Sequence, residues 1–294
     1  MNEILDALIR QLDLEQLEVN LFRGQSRDTW GPRVFGGQVI GQAMVAAERT
    51  VEGRAAHSLH AYFLLPGDSD APIVYQVERI RDGKSFSARR VQAIQHGRPI
   101  LSMIASFQAP EEGLEHAAPM PDVPDPEALT PRSELVSRWL AEAGPVPPPI
   151  EEALRATSAI EFRPVAPRNP LLPSPAEPRQ AAWFRAVDRV PDDPRLHRCI
   201  LAYASDYTLV GTALRPHGRS WFQRSMVVAS LDHALWFHRD ARVDDWLLYA
   251  MDSPSAQGAR GFARGLVFDR RGRLVASVAQ EGLMREARPS ASGP

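Results

Sequence analysis

The sequence predicts an α+β protein built from two copies of one helix-plus-antiparallel-sheet unit, joined by a proline-rich segment. Three observations carry this. Residues 57–104 fall without a gap on residues 232–279 at an offset of 175, with Gly83 on Gly258, Gly97 on Gly272, Arg89 on Arg264, Arg98 on Arg273 and Ser102 on Ser277. The identities are sparse, but the order of features repeats, and a chain that repeats a supersecondary unit folds as packed copies. Each copy also contains four strand-length apolar or alternating runs bounded by Gly, Asp or Pro, preceded by one helical run. Finally, sixteen of the 26 prolines lie between Pro110 and Pro178. Proline lacks a backbone donor and fixes φ, so this span cannot supply long central strands and separates the copies.

The elements follow in order. Ile4, Leu5, Leu8, Ile9, Leu12 and Leu14 recur near the helical period and predict a short amphipathic helix within 3–17. A strand over 18–22 comes next. Phe35-Gly36-Gly37-Gln38 opens an Ala-, Val- and Met-rich run to Glu48, which reads as a buried helix. Strands follow over 57–65, 72–80, 85–95 and 99–108, with hairpins at Asp82-Gly83 and His96-Gly97. The proline-rich segment wraps the surface, with one helix around 133–142 and a strand near 160–164. The second copy reads as a strand over 182–190, a helix over 197–213, and strands over 226–239, 245–253, 260–269 and 273–285. A long helix wrapped by a curved antiparallel sheet is the hotdog fold. The expectation is therefore a double hotdog: one repeat over 1–109, a linker over 110–179 and a second repeat over 180–294.

Bulk properties narrow the function. A net charge of −2 argues against nucleic acid as the main partner. The basic residues are Arg apart from Lys84. Cys199 is the sole cysteine, so neither an intramolecular disulfide nor a Cys-rich metal site is expected, and in its apolar run it reads as a small core hydrophobe. Residues 1–14 lack the pattern of a signal peptide, and no stretch approaches the roughly eighteen apolar residues of a membrane span. A cytoplasmic protein without cofactor or metal is expected.

Several long motifs carry a family resemblance. Val34 to Ala43, His57 to Leu64 with Pro66-Gly67-Asp68, Arg81 to Val91, Leu231 to His238 and Gln280 to Arg285 resemble the acyl-CoA thioesterase II family, in order and over nearly the whole chain outside the linker. The resemblance implies hydrolysis of fatty acyl-CoA to fatty acid and coenzyme A, with acyl-CoA as the partner. It also implies a catalytic trio of Asp, Thr and Gln. These fall on Asp206, Ser230 and Gln280, with Ser at the family's Thr position. Serine keeps the hydroxyl but loses the β-branch that restricts χ1.

These residue types suit the chemistry. Thioester hydrolysis needs an aimed water, a base to take its proton and donors for the developing oxyanion. Asp206 can accept a proton, while Ser230 and Gln280 can each donate and accept and so orient the water. The backbone N–H groups of Gly36 and Gly37, at a helix start, are candidate oxyanion donors. At the offset of 175, Asp206 falls on Gly31, Ser230 on Ala55 and Gln280 on Ala105, so the first copy carries no trio. A hotdog hydratase would want a His five residues after the Asp, where Gly211 stands, and no Gly-x-Ser-x-Gly elbow is present. The alternative is a non-catalytic acyl-CoA-binding or assembly protein of the same fold. His57, His60 and His233 lie in apolar-aromatic strands and read as structural groups. Arg89-Arg90 is a candidate contact for the coenzyme A phosphates. Exposed sheet edges favour a homo-oligomer.

Overall fold

The computed structural model describes residues 2–26, 33–223 and 225–287. The amino-terminal helix α1 (Glu3–Leu12) starts where the Asn2 side chain caps the Ile4 N–H, and it buries Leu5, Leu8 and Leu12. The expected strand over 18–22 is instead a hairpin, β1 (Glu15–Glu18) and β2 (Leu21–Gly24). The reversal occurs at Val19-Asn20, where the Asn20 carbonyl accepts from Val77 and its side chain from Arg79. Those partners are distant in sequence, so no local pattern announces the turn. The first repeat continues with α2 (Gly36–Glu48), β3 (Ala55–Phe63), β4 (Ile73–Asp82), β5 (Phe86–Gln95) and β6 (Arg98–Gln108). The β5–β6 hairpin closes with positive φ at both His96 and Gly97, the requirement of a type I′ turn.

The proline-rich segment forms α3 (Arg132–Ala143), α4 (Pro148–Arg155) and β7 (Ile160–Pro164). Its sequence concealed α4, because Pro147-Pro148-Pro149 reads as a breaker. Prolines in the first turn of a helix cost no hydrogen bond, and the helix begins there. The segment crosses the outer face of the second repeat, where Met120, Val123 and Leu129 cover Trp183, Trp246, Leu248 and Phe268, and Trp183 Nε1 donates to the Pro124 carbonyl.

The second repeat comprises β8 (Arg179–Ala186), α5 (Pro194–Ser205), α6 (Gly211–Leu214), β9 (Met226–Ser230), β10 (Asp232–Phe237), β11 (Leu247–Gln257), β12 (Arg260–Asp269) and β13 (Leu274–Glu286). Two expected elements divide. The helix over 197–213 breaks after Ser205, and Thr208 takes φ +64 before α6 starts. The strand over 226–239 breaks at Leu231, so that β9 and β10 pair with successive stretches of β13.

The two repeats share one antiparallel sheet, in the order β1-β2-β4-β5-β6-β3-β10-β13-β12-β11-β8-β7, with β9 beside β13. The seam is β3 against β10, where Leu59 faces Leu235. This is the double hotdog, an α+β fold. Helices α2 and α5 pack against each other under the sheet. The start of α2 meets the end of α5 at Gly37 and Tyr203, and the end of α2 meets the start of α5 at Glu48 and Arg198, so the helices run antiparallel. Gly41, midway, allows close approach to Tyr203 and to the Cys199 carbonyl. Buried polar groups on α2 are paired: Gln42 accepts from the Tyr75 hydroxyl and donates to the Gln11 and Gln25 carbonyls. Among the described residues no helix is long and apolar enough to cross a membrane.

The offset of 175 holds for the strands but not for the helices, since α5 starts 158 residues after α2. The inserted α6 and β9 make up the difference. Gly31, which the sequence set against Asp206, lies outside the described residues. The end of α2, at Glu48 and Arg49, is what corresponds to Asp206.

Candidate active site

Helix α5 is capped at its start by the Asp193 side chain on the Arg195 N–H, with Pro194 as its first residue. It ends with Asp206 as the C-cap (φ −80, ψ −11), followed within two residues by left-handed Thr208. A β-branched residue in that region is strained by about 1–2 kcal/mol, so the chain is forced out of the helix there. Asp206 is thereby left at the junction of α5 with the start of α2, its side chain only 5% exposed.

Strand β13 brings Gln280, fully buried, to the same point. Strand β9 brings Ser230, whose backbone stands opposite Gly282. The break that separates β9 from β10 is pinned: Leu231 N–H donates to the Glu281 carbonyl at 2.9 Å, and Glu281 N–H donates to Asp232 Oδ1 at 2.6 Å.

The three side chains form a closed triangle. Gln280 Nε2 lies 2.6 Å from Asp206 Oδ1 and 2.9 Å from Ser230 Oγ. A carboxylate only accepts, so the amide nitrogen must face it, and both amide protons are used. Ser230 in turn hydrogen-bonds the Asp206 carboxylate. The carbonyl Oε1 of Gln280 is buried without a hydrogen-bond partner, an acceptor that needs a donor.

The first turn of α2 completes the site. A Cβ on Gly36 would lie 2.7 Å from Asp206 Oδ2, and one on Gly37 would lie 2.3 Å from the Tyr203 carbonyl oxygen. Only glycine permits this approach. It lets the Gly37 N–H hydrogen-bond the carboxylate, with the positive end of the helix dipole beside it. Those favourable contacts do not outweigh desolvation. Burial raises the Asp206 pKa from 3.8 to about 6, against the lowering effects of Gln280, Gly37 and Ser230. Phe35, Tyr203 and Tyr207 pack ring against ring next to it, and Phe162 extends the aromatic wall.

The residues singled out in the sequence thus separate. Asp206, Ser230, Gln280, Gly36 and Gly37 converge. His57 pairs with Ser106, and His60 packs edge-on against Trp236. Arg89 is buried and committed to Thr50, Asp82 and two carbonyls, while exposed Arg90 pairs with Glu78, so Arg89 is not placed to meet a phosphate. Cys199 is buried among apolar groups, and burial pushes its thiol pKa far up. Sequence reading missed the buried Ser205–His233 pair behind Asp206, because nothing local joins two residues 28 positions apart. It also missed Glu48, which the Arg198 guanidinium holds at the opposite end of the helix pair.

Residues 154–283 match the acyl-CoA thioesterase family, and residues 25–108 match the acyl-CoA thioesterase N-terminal domain. The chain is 42% identical to acyl-CoA thioesterase 2 of Haemophilus influenzae over 286 residues, covering 97% of this chain and 99% of that protein. It is 42% identical to human acyl-coenzyme A thioesterase 8 over 282 residues, covering 93% of this chain and 87% of that one. Among solved structures, an acyl-CoA thioesterase II from Mycobacterium marinum superposes with a TM-score of 0.77 at 45% identity, covering 96% of this chain and 99% of that chain. A hot dog fold protein from Alicyclobacillus acidocaldarius superposes at 0.75 with 19% identity over 96% and 99% of the two chains, a likeness of fold alone.

Proposed function

The chain belongs to the acyl-CoA thioesterase family, and from that premise we propose that Asp206, Ser230 and Gln280 carry out its hydrolysis of acyl-CoA thioesters. The observation that carries the assignment is the triangle itself: a buried carboxylate near pKa 6 held by one amide and one hydroxyl. A base with a pKa close to neutrality is both ionised and basic enough to take a proton in the transition state.

In this reading, water donates one hydrogen to Asp206 and is steadied by the unpaired carbonyl of Gln280. As its oxygen attacks the thioester carbon, the proton passes to Asp206, and negative charge gathers on the former carbonyl oxygen. The Gly36 N–H, which has no partner within the helix, is the donor for that charge, while the Gly37 N–H is committed to Asp206. The tetrahedral adduct collapses by breaking the C–S bond, and Asp206 returns the proton to the departing thiolate. Thiolate is a good leaving group, so no covalent acyl-enzyme is required. The second repeat supplies the trio and the first supplies the start of α2. Glu48, the first-repeat counterpart of Asp206, is locked to Arg198, which supports a single site per chain.

Thiol release from acyl-CoAs of graded chain length, read with a disulfide reagent, tests the assignment. Asp206→Asn should lose about a hundredfold or more in kcat, the scale of a lost general base, while Ser230→Thr should stay active. Wild-type activity should fall as pH drops through about 6, because the base must be ionised. An Asn variant as fast as wild type would refute the assignment.

A further inference from the structure

Behind the trio, β10 carries His233, which has no exposed surface. Continuing the β10–β13 register one step past the Ala234–Ala279 pair sets it across from Gln280. Its Nε2 lies 2.8 Å from Ser205 Oγ, and Ser205 Oγ lies 2.9 Å from the Ala202 carbonyl oxygen. A carbonyl can only accept, so the single serine proton goes to Ala202, and the serine oxygen accepts from the imidazole. The ring therefore carries its proton on Nε2 and leaves a bare lone pair on Nδ1. That Nδ1 has no hydrogen-bond partner and lies 3.9 Å from Asp206 Oδ1.

We propose that His233 is a positioning residue for the catalytic carboxyl group, its Nδ1 serving as the acceptor that holds the Asp206 proton between water activation and departure of the thiol. The inference rests on the role assigned to Asp206. While Asp206 is ionised, its oxygen faces a lone pair that it cannot use. Once it has taken the proton from water, a small side-chain shift lets its O–H donate to Nδ1. The same proton then leaves with the sulfur as the C–S bond breaks, and His233 begins and ends neutral. Burial keeps it so, pushing its pKa down to about 3.

The surroundings divide cleanly. Gln280, Ser230 and Gly37 stabilise the ionised form of Asp206 by hydrogen bonds, and among the described residues no cation adds to them. Among the described residues, Tyr207 at the end of α5, with Arg132 beyond it, and Tyr249 from β11, whose hydroxyl donates to the Ser205 carbonyl, also face this point, and burial raises the pKa of both tyrosines. Burial favours the protonated carboxyl, and the partnerless Nδ1 of His233 is the acceptor that faces it.

His233→Gln tests this, since a glutamine amide reaches the Nε2 position and can still donate to Ser205 while leaving no atom at Nδ1. The acid limb of the kcat profile should move to lower pH and kcat should fall about tenfold, the equivalent of one hydrogen bond, at unchanged KM. In 15N spectra of histidine-labelled wild type, the His233 ring should be protonated on Nε2 alone from pH 5 to 8. An acid limb that stays in place, with only thermal stability lowered, would make His233 structural. A limb that moves upward would make the ring a donor to the carboxylate. Either result overturns the proposal. Asp206→Asn, run beside it, separates the two readings: if that variant is inactive while the His233→Gln limb is unmoved, only the role of His233 fails.

Discussion

Replacing Asp206 with Asn should make the protein more stable while it makes it inactive. The carboxyl is almost wholly buried, and its pKa rises from 3.8 to about 6. A rise of about two units at about 1.36 kcal/mol each means that the ionised group costs the folded state about 3 kcal/mol. Below pH 3.8 both folded and unfolded chains hold the proton, and the cost vanishes. Between 3.8 and 6 the unfolded chain ionises while the folded one does not, so the cost grows, and above 6 it is complete. Asparagine carries no such penalty. Its oxygen still accepts from Gln280, and its new amide can donate to Ser230 Oγ, which already bonds the carboxylate. Allowing about 1 kcal/mol for imperfect pairing leaves about 2 kcal/mol of gain, or about 3 °C in Tm for a chain of this length. Differential scanning calorimetry of both proteins from pH 4 to pH 8 measures it. A variant no more stable than wild type at pH 8, or a gain as large at pH 4 as at pH 8, would refute the claim that burial strains this carboxylate.

Two further substitutions probe how the helix pair is held. Arg198→Met strips Glu48 of its buried partner and leaves it only the more exposed Arg195 at 3.9 Å, and since desolvation already raises the Glu48 pKa, the loss should be about 3 kcal/mol near pH 8. That loss should shrink as pH falls and Glu48 takes a proton, which urea melts at two pH values would detect. Gly37→Ala forces a methyl to 2.3 Å from the Tyr203 backbone carbonyl, so α2 must move off α5. It should lower stability by about 1–3 kcal/mol and kcat together, the latter because the Gly37 N–H leaves Asp206; unfolding and thiol-release assays read the two effects separately.

Much of the architecture was legible in the chain because it is encoded by local periodicity. The strands β3 to β6 and β10 to β13 lie at the offset read from residues 57–104, since an alternation of two and a glycine turn survive sequence divergence. The candidate trio of Asp206, Ser230 and Gln280 is legible in the motifs alone. What depends on distance across the fold was not legible. That the repeats fuse into one sheet at Leu59 and Leu235 is a register between segments some 175 positions apart. That the helices follow a different offset from the strands turns on α6 and β9, short elements whose boundaries are set by a left-handed Thr208 and a broken strand at Leu231. The proton affinity of Asp206 comes from the volume packed around it, and the lone pair of His233 is fixed by a serine and a carbonyl from another element. Pattern along a chain records which face of a segment is buried; only the folded structure decides what that face meets, and it is that meeting which sets pKa, orientation and reactivity.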